Sequence, residues 1–422
     1  MLSGGSPESR RLWIACGIYL VACVVYFSVA DPAVVHGHTP WNHFALLADA
    51  WRQGRLDLGG PPPTYTGNND FSHVGGKWFV VFPPFPALLL VPIAALVKDP
   101  ERIHDGQFFL WLAGVAPAVL FLALEKLRRF GRSDVGEFGN IGLSLSFAFG
   151  SVYFFSAVQG TVWYAAHAVG AALAAAYLLF ALEAERPWLA GLALGLGFAT
   201  RTPLLFAAPL FVLEAVRTSR PRLLRTLLAF GTPVATVLLL TFVHNQLRFG
   251  DPFEVGYRFL GIAWQHRIEK WGLFGYHYLG KNLGVMLSSL PFWTPRGTAP
   301  FQINLHGLAL WITTPAYLWL LWPRRAGVLH RPLWITVSCV ALPTLLYQNT
   351  GWLQFGYRFS NDYAVFLFAL LALGGYRFGR LFRTCACAAV LINAFGAFTF
   401  GRSQYAAYYF QDNTQRIVYQ PD

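Results

Sequence analysis

Charge is scarce in this sequence. Only 12% of its 422 residues are charged, against 55% hydrophobic; soluble domains carry roughly 25% charged residues. An ordinary soluble domain is therefore excluded, and the composition is that of a polytopic membrane protein. Cysteine is scarce too: Cys16, Cys23, Cys339, Cys385 and Cys387 all lie in apolar runs, so no disulfide framework is expected. Cys385-Ala-Cys387 is spaced too closely for a redox or zinc motif and reads as small apolar filler. No P-loop or Rossmann glycine fingerprint is visible, so no nucleotide site is expected. No internal repeat stands out, which argues against a transporter built from inverted repeats.

What is present is a net charge of +12. Its carriers fall in short clusters between apolar runs, the pattern of cytoplasmic loops rather than of a nucleic-acid surface. Candidate spans are 12–30, 107–124, 139–157, 162–182, 187–200, 203–216, 226–243, 305–322, 332–348, 361–376 and 384–400. Arg10-Arg11 precede the first, which reads as an uncleaved helix with a cytoplasmic N-terminus. Two apolar stretches, 79–97 and 278–293, are doubtful. If neither crosses, Arg10-Arg11 and the clusters at 126–132, 217–225, 324–331 and 377–383 all share the cytoplasmic side. The expectation is thus an all-α integral membrane domain, 1–422, with about eleven spans and an external C-terminus. Its outer loops are 31–106 and 244–304, with a shorter one between Gln348 and Asn361.

The stretch NNDFSHVGGKWFVVFPPFPALLLVP, Asn68 to Pro92, is too short and too proline-broken for a spanning helix. It reads as a Gly-Gly turn followed by a re-entrant or interfacial element, which is tolerated where it lines a cavity. Asp70 stands just before it, followed by His73 and Lys77. Asp70 is either a turn or cap residue or a general base at the interface. Asp31 is either a solvated helix end or a second candidate base. His36, His38 and His43 lack metal-site spacing. HFALLADAWRQGRL, from His43, has helical periodicity and reads as an amphipathic helix on the outer leaflet, with Asp49 and Arg52 paired.

In the second loop, HNQLRFGDPFEVGYRF carries Arg248, Asp251, Glu254, Tyr257 and Arg258. Arginines there suit a phosphate or pyrophosphate group; a Gly-Asp-Pro turn with a local ion pair is the alternative. QFGYRFSND supplies Arg358 and Asp362. Arg201 ends a span, where it either serves the site or snorkels. His167, inside a span, reads as a packed core histidine. Asp412 and Asp422 lie in the tail.

The order of these features resembles the GT-C superfamily of membrane glycosyltransferases, which includes protein O-mannosyltransferases and aminoarabinose transferases. The resemblance is carried by WNHFALLADAWRQGRL, KWFVVFPPFPALLLVP, LGLGFATRTPLLFAAPL, NQLRFGDPFEVGYRF and GWLQFGYRFSNDYAVFLFALLAL, and covers most of the chain. It implies a GT-C-like fold in a bacterial inner membrane, with outer-face juxtamembrane helices. It implies a polyprenyl-phosphate sugar donor and an acceptor hydroxyl on a lipid or glycan. Asp70 or Asp31 would be the base, and Lys77, Arg201, Arg258 and Arg358 would hold the lipid phosphate. His73, His43, Asp251 and Asp362 join them as substrate-binding candidates. No cofactor is implied, and a divalent cation is compatible with the acids. The superfamily's acidic pair at the start of the surface helix is missing: Pro40-Trp41-Asn42-His43 stands there. A flippase for lipid-linked saccharides and a non-catalytic scaffold are the alternatives.

Overall fold

A computed structural model describes residues 7–262, 264–294 and 297–411; Asp412 and Asp422 lie outside them. The chain begins with helix α1 (Pro7–Val29), then α2 (Pro32–His36) and α3 (His43–Arg52). A hairpin of β1 (Phe71–Val74) and β2 (Lys77–Val80) leads to α4 (Phe85–Val97). Helices α5 (Asp105–Ala113), α6 (Val115–Arg129), α7 (Glu137–Phe149), α8 (Val152–Ala157), α9 (Val162–Ala181), α10 (Pro187–Phe198), α11 (Ala208–Thr218) and α12 (Leu223–Phe249) follow. The last third comprises α13 (Gln265–Trp271), α14 (Leu279–Ser288), β3 (Phe292–Trp293), β4 (Phe301–Asn304), α15 (Leu310–Thr313), α16 (His330–Leu345), α17 (Ala364–Leu373), α18 (Arg380–Thr399) and β5 (Tyr409–Phe410).

Among the described residues, five helical stretches are long and apolar enough to cross a membrane: Pro7–Val29, Asp105–Arg129, Val162–Ala184, Arg220–Phe249 and Arg380–Thr399. Shorter apolar helices are α4, α10 and α17. Burial separates their roles. Every residue of α17 is buried, as befits a helix that is apolar all round. By contrast α12 exposes Leu224, Leu228, Leu239, Leu240, Val243 and Leu247, a surface suited to lipid. Helices α10 and α12 pack backbone to backbone at Gly191, where a Cβ would fall 2.0 Å from the Phe230 carbonyl oxygen.

Ion pairs gather several basic clusters at one end. Arg10 meets Glu137 at 2.5 Å, Arg325 meets Asp134 at 2.6 Å, and Arg132 and Arg217 each meet Glu183 at 2.8 Å. Elsewhere, the three loop regions around the first, second and third expected outer segments are joined to one another. Ser72 bridges Leu260 and Phe274 bridges Tyr347, and Arg248 Nη1 donates to the Val80 carbonyl at 2.7 Å.

Several elements depart from the sequence expectation. The fold is mostly helical rather than purely so, because it holds the β1–β2 hairpin and a small β3–β4–β5 sheet. The hairpin turns at Gly75-Gly76, whose φ values of 58° and 74° suit glycine in a tight two-residue turn. Residues 305–322 do not form one helix: α15 stops at Thr313 and Pro315 opens a 3-10 stretch, Pro315–Leu321. Helix α3 is present, but it is no surface helix. All residues from His43 to Ala50 are buried, because α4 and the hairpin pack over it in one apolar cluster. The proline-broken stretch becomes β2, a Phe82-Pro83-Pro84 link and the 13-residue α4. At 1.5 Å per residue such a helix is about 20 Å long, short of the ~30 Å hydrocarbon core.

Candidate active site

One face of α9 lays out the site. Trp163, Tyr164, His167 and Gly170 recur at helical spacing from its first turn. Each meets a different part of the charged cluster.

Trp163 Nε1 donates to Asp70 Oδ2 at 2.8 Å. Asp70 stands in a turn just before β1, with φ of 59°, and Asn68 two residues earlier has φ of 57°. Left-handed backbone is uncommon outside glycine, although Asn and Asp tolerate it best; such conformations persist where surroundings enforce them. Here His43 does the enforcing. Its Nε2 lies 2.8 Å from the Asn69 carbonyl oxygen, and its ring stacks on Phe71 with centroids 4.2 Å apart. Burial lowers the His43 pKa to about 4, so the ring is neutral near pH 7. A carbonyl only accepts, so the ring proton sits on Nε2.

The Asp70 carboxyl caps no helix. Its Oδ1 has no hydrogen-bond partner among the described residues, which leaves one oxygen open to a proton. Burial raises its pKa above the ordinary 3.8, while the Trp163 bond and the positive charge of Arg358 pull the other way.

Arg358 begins the 3-10 turn Arg358–Asp362. Its guanidinium lies over the Tyr164 ring at 5.2 Å and the Phe359 ring at 5.7 Å. Its backbone N–H is fixed by Gln354 Oε1 at 3.0 Å. Its Nε is buried without a hydrogen-bond partner, and among the described residues no carboxylate lies within ion-pair distance of it. A buried guanidinium in this state calls for an anion.

At the other end of the same turn, Asp362 takes a two-pronged contact from Arg201. Nε meets Oδ1 at 2.9 Å and Nη2 meets Oδ2 at 2.7 Å. His167 Nδ1 faces Asp362 Oδ1 at 3.3 Å. Gly170 makes the room for this arrangement, since a Cβ there would lie 2.8 Å from Arg201 Cγ. The phenols of Tyr257 and Tyr347 lie within the field of Asp70 and of both arginines.

The structure thus brings together Asp70, Arg201, Arg358 and Asp362, with His43 supporting the Asp70 turn. It engages the other candidates differently. Asp31 caps α2, accepting the Ala33 N–H at 2.9 Å, and faces Arg402 at 3.7 Å. Lys77 is exposed and faces Asp57 at 3.6 Å. His73 stacks on Trp78 with centroids 4.3 Å apart. Asp251 accepts the Phe253 N–H at 2.9 Å within the Gly-Asp-Pro turn, and Arg258 pairs with Glu254 at 2.6 Å. Asp49 and Arg52 pair at 2.8 Å, as their spacing suggested. Among the described residues, no three His, Cys, Asp or Glu side chains form a metal-ligating group; the His38 ring packs at a tilt against Tyr65, centroids 4.6 Å apart.

Sequence reasoning missed Trp163, Tyr164 and Tyr347, and read His167 as core packing. The missed signal was WYAAHAVG, whose polar and ring-bearing positions share one helix face.

No family model and no curated protein matches the chain. Among solved structures, the apo oligosaccharyltransferase of Archaeoglobus fulgidus is similar, with a TM-score of 0.50 and 12% sequence identity. The match covers 92% of this chain and 57% of that one. The chain has a GT-C fold. A second similar structure is archaeal oligosaccharyltransferase AglB from Archaeoglobus fulgidus in complex with an inhibitory peptide and a dolichol-phosphate. It gives a TM-score of 0.44 at 12% identity, with 95% of this chain and 57% of that chain covered. The chain therefore spans little more than half the length of these GT-C structures.

Proposed function

We propose that this protein is a membrane glycosyltransferase. It moves a sugar from a polyprenyl-phosphate carrier to an acceptor hydroxyl, on a lipid or glycan, at the outer face of a bacterial inner membrane. A cytoplasmic N-terminus fits this reading, since Arg10 is ion-paired at the same end of the molecule as Arg132, Arg217 and Arg325.

The observation that carries the reading is the Asp70 carboxyl: one oxygen held by Trp163, the other open, beside a buried guanidinium that has no carboxylate partner. In this reaction the acceptor oxygen attacks the anomeric carbon and its proton passes to Asp70. The bond from the anomeric carbon to the phosphate oxygen breaks, and polyprenyl phosphate leaves. Arg358 meets the negative charge that grows on that phosphate, as preorganised donors do in electrostatic catalysis. Burial keeps Asp70 a stronger base than a solvated carboxylate. Lys77 and Arg258, both largely exposed, stand as outer contacts for the same donor, and His73 and Asp251 are kept as further substrate-binding candidates. The neutral His43 acts through the Asn69 carbonyl, and Asp31 is kept as the second candidate base.

Native mass spectrometry of protein purified in mild detergent tests the reading. A co-purified polyprenyl-phosphate sugar supports it. A bound lipid-linked oligosaccharide that is never transferred favours a flippase instead. No retained lipid after incubation with a panel of lipid-linked sugars sinks the transferase reading.

A further inference from the structure

Two arginines converge on this site, and they are not equivalent. Arg201 is spent on Asp362, which it grips with two nitrogens. Arg358 keeps a buried Nε with no partner. Yet Asp362 and Arg358 belong to one short 3-10 turn, Arg358–Asp362, and both are almost wholly buried. They stand four positions apart in that turn, and the structure holds them away from each other, Asp362 on Arg201 and Arg358 over the Tyr164 ring; opposite charges in a poorly solvated site attract strongly. Left alone, the Asp362 carboxylate would take the Arg358 guanidinium and neutralise it.

We infer that Arg201 sequesters Asp362 and so keeps Arg358 free for the anionic phosphate group of the ligand. This rests on the donor reading above. Both Asp362 oxygens are occupied: Oδ2 by Arg201 Nη2, and Oδ1 by Arg201 Nε with His167 Nδ1 alongside. The aliphatic stem of Arg201 passes over Gly170, where no side chain stands in the way. The Arg201 guanidinium also rests 5.4 Å from the centre of the Phe359 ring. Phe359 is the residue after Arg358, so the same contact steadies the backbone that carries the free guanidinium. Arg201 is in this sense a positioning residue: it acts through Asp362 and not on the ligand.

The test is the affinity of the full chain in mild detergent for farnesyl phosphate, a short isoprenyl phosphate. Arg358→Gln is expected to abolish measurable binding. Arg201→Gln, which releases Asp362 to Arg358, is expected to weaken binding about tenfold or more, the scale of a lost charge-assisted contact. The double variant Arg201→Gln/Asp362→Asn removes both the lock and the carboxylate it holds. It is expected to bind within about threefold of wild type. If the double variant stays as weak as Arg201→Gln, Arg201 touches the phosphate directly and the inference is overturned. Unchanged binding by Arg201→Gln overturns it as well. Should Arg201→Gln fail to fold, Asp362→Asn alone decides: it leaves Arg358 without a competitor, so weaker binding contradicts the inference. A wild-type protein that binds no farnesyl phosphate is a different result, since it removes the donor reading itself and this inference with it.

Discussion

The Trp163 indole N–H reaches Asp70 Oδ2 at 2.8 Å across 93 residues of chain. This bond ties the turn before β1 to the first turn of α9, and it decides which carboxylate oxygen is free. Removing it by Trp163→Phe leaves the ring and takes the donor. A hydrogen bond to the charged form lowers a carboxyl pKa, so its loss raises the Asp70 pKa further. A base works only when deprotonated. The acid limb of the pH–rate profile is therefore expected to move to higher pH in Trp163→Phe, with the rate falling several-fold more at low pH than on the alkaline plateau. Equal losses at all pH values would show that Trp163 does not act through the ionisation of Asp70.

His43 makes a prediction about stability. Its folded pKa of about 4 lies below the ordinary 6.5. Between those values the unfolded chain takes up a proton that the folded chain refuses, so stability falls as pH drops from 6.5 towards 4. The loss amounts to ~3 kcal/mol at most, at 1.36 kcal/mol per pH unit. His43→Gln keeps a donor for the Asn69 carbonyl and cannot titrate. Melting temperatures measured from pH 7 to pH 4 should show a smaller decline in this variant than in wild type.

Gly170 is a steric prediction. A Cβ there would lie 2.8 Å from Arg201 Cγ, so Gly170→Ala must push Arg201 or α9 aside. Overpacking of this kind costs about 1–3 kcal/mol, and it also disturbs the grip on Asp362. The expected result is a lowered melting temperature together with weaker binding of an isoprenyl phosphate. A fully stable Gly170→Ala variant with unchanged binding would show that the contact has slack.

Much of this was legible in the sequence, for identifiable reasons. Gly75-Gly76 announced a tight turn because both positions need a positive φ. Asp49 and Arg52 announced a pair because i,i+3 positions are neighbours on a helix. Asp70, Arg201, Arg358 and Asp362 stood out because ionisable residues are rare in so apolar a chain. What stayed hidden were long-range partners. Arg201 and Asp362 are separated by 161 positions, and nothing local in ATRTP or FSND matches them to each other. Trp163 and Tyr164 look like ordinary aromatics in a spanning helix until Asp70 and Arg358 are placed against them. Helix α3 shows the complementary limit. Its periodicity gave the helix, but its polar face suggested solvent or headgroups. The hairpin and α4 bury that face, and no local pattern encodes what packs on top.

The central claim is that Asp70 takes the acceptor proton, and the most direct measurement is glycosyl transfer by Asp70→Asn with the co-purified donor. Asn tolerates the left-handed backbone of this position, so the variant should fold and keep its donor. The expected result is a fall in rate of about 10²–10⁴-fold, the usual contribution of a positioned base, with donor binding retained. Asp31→Asn, measured alongside, should keep its rate, because the Asp31 side chain caps α2 and faces Arg402. Undiminished transfer by Asp70→Asn would contradict the account, and loss in Asp31→Asn instead would move the base to the end of α1.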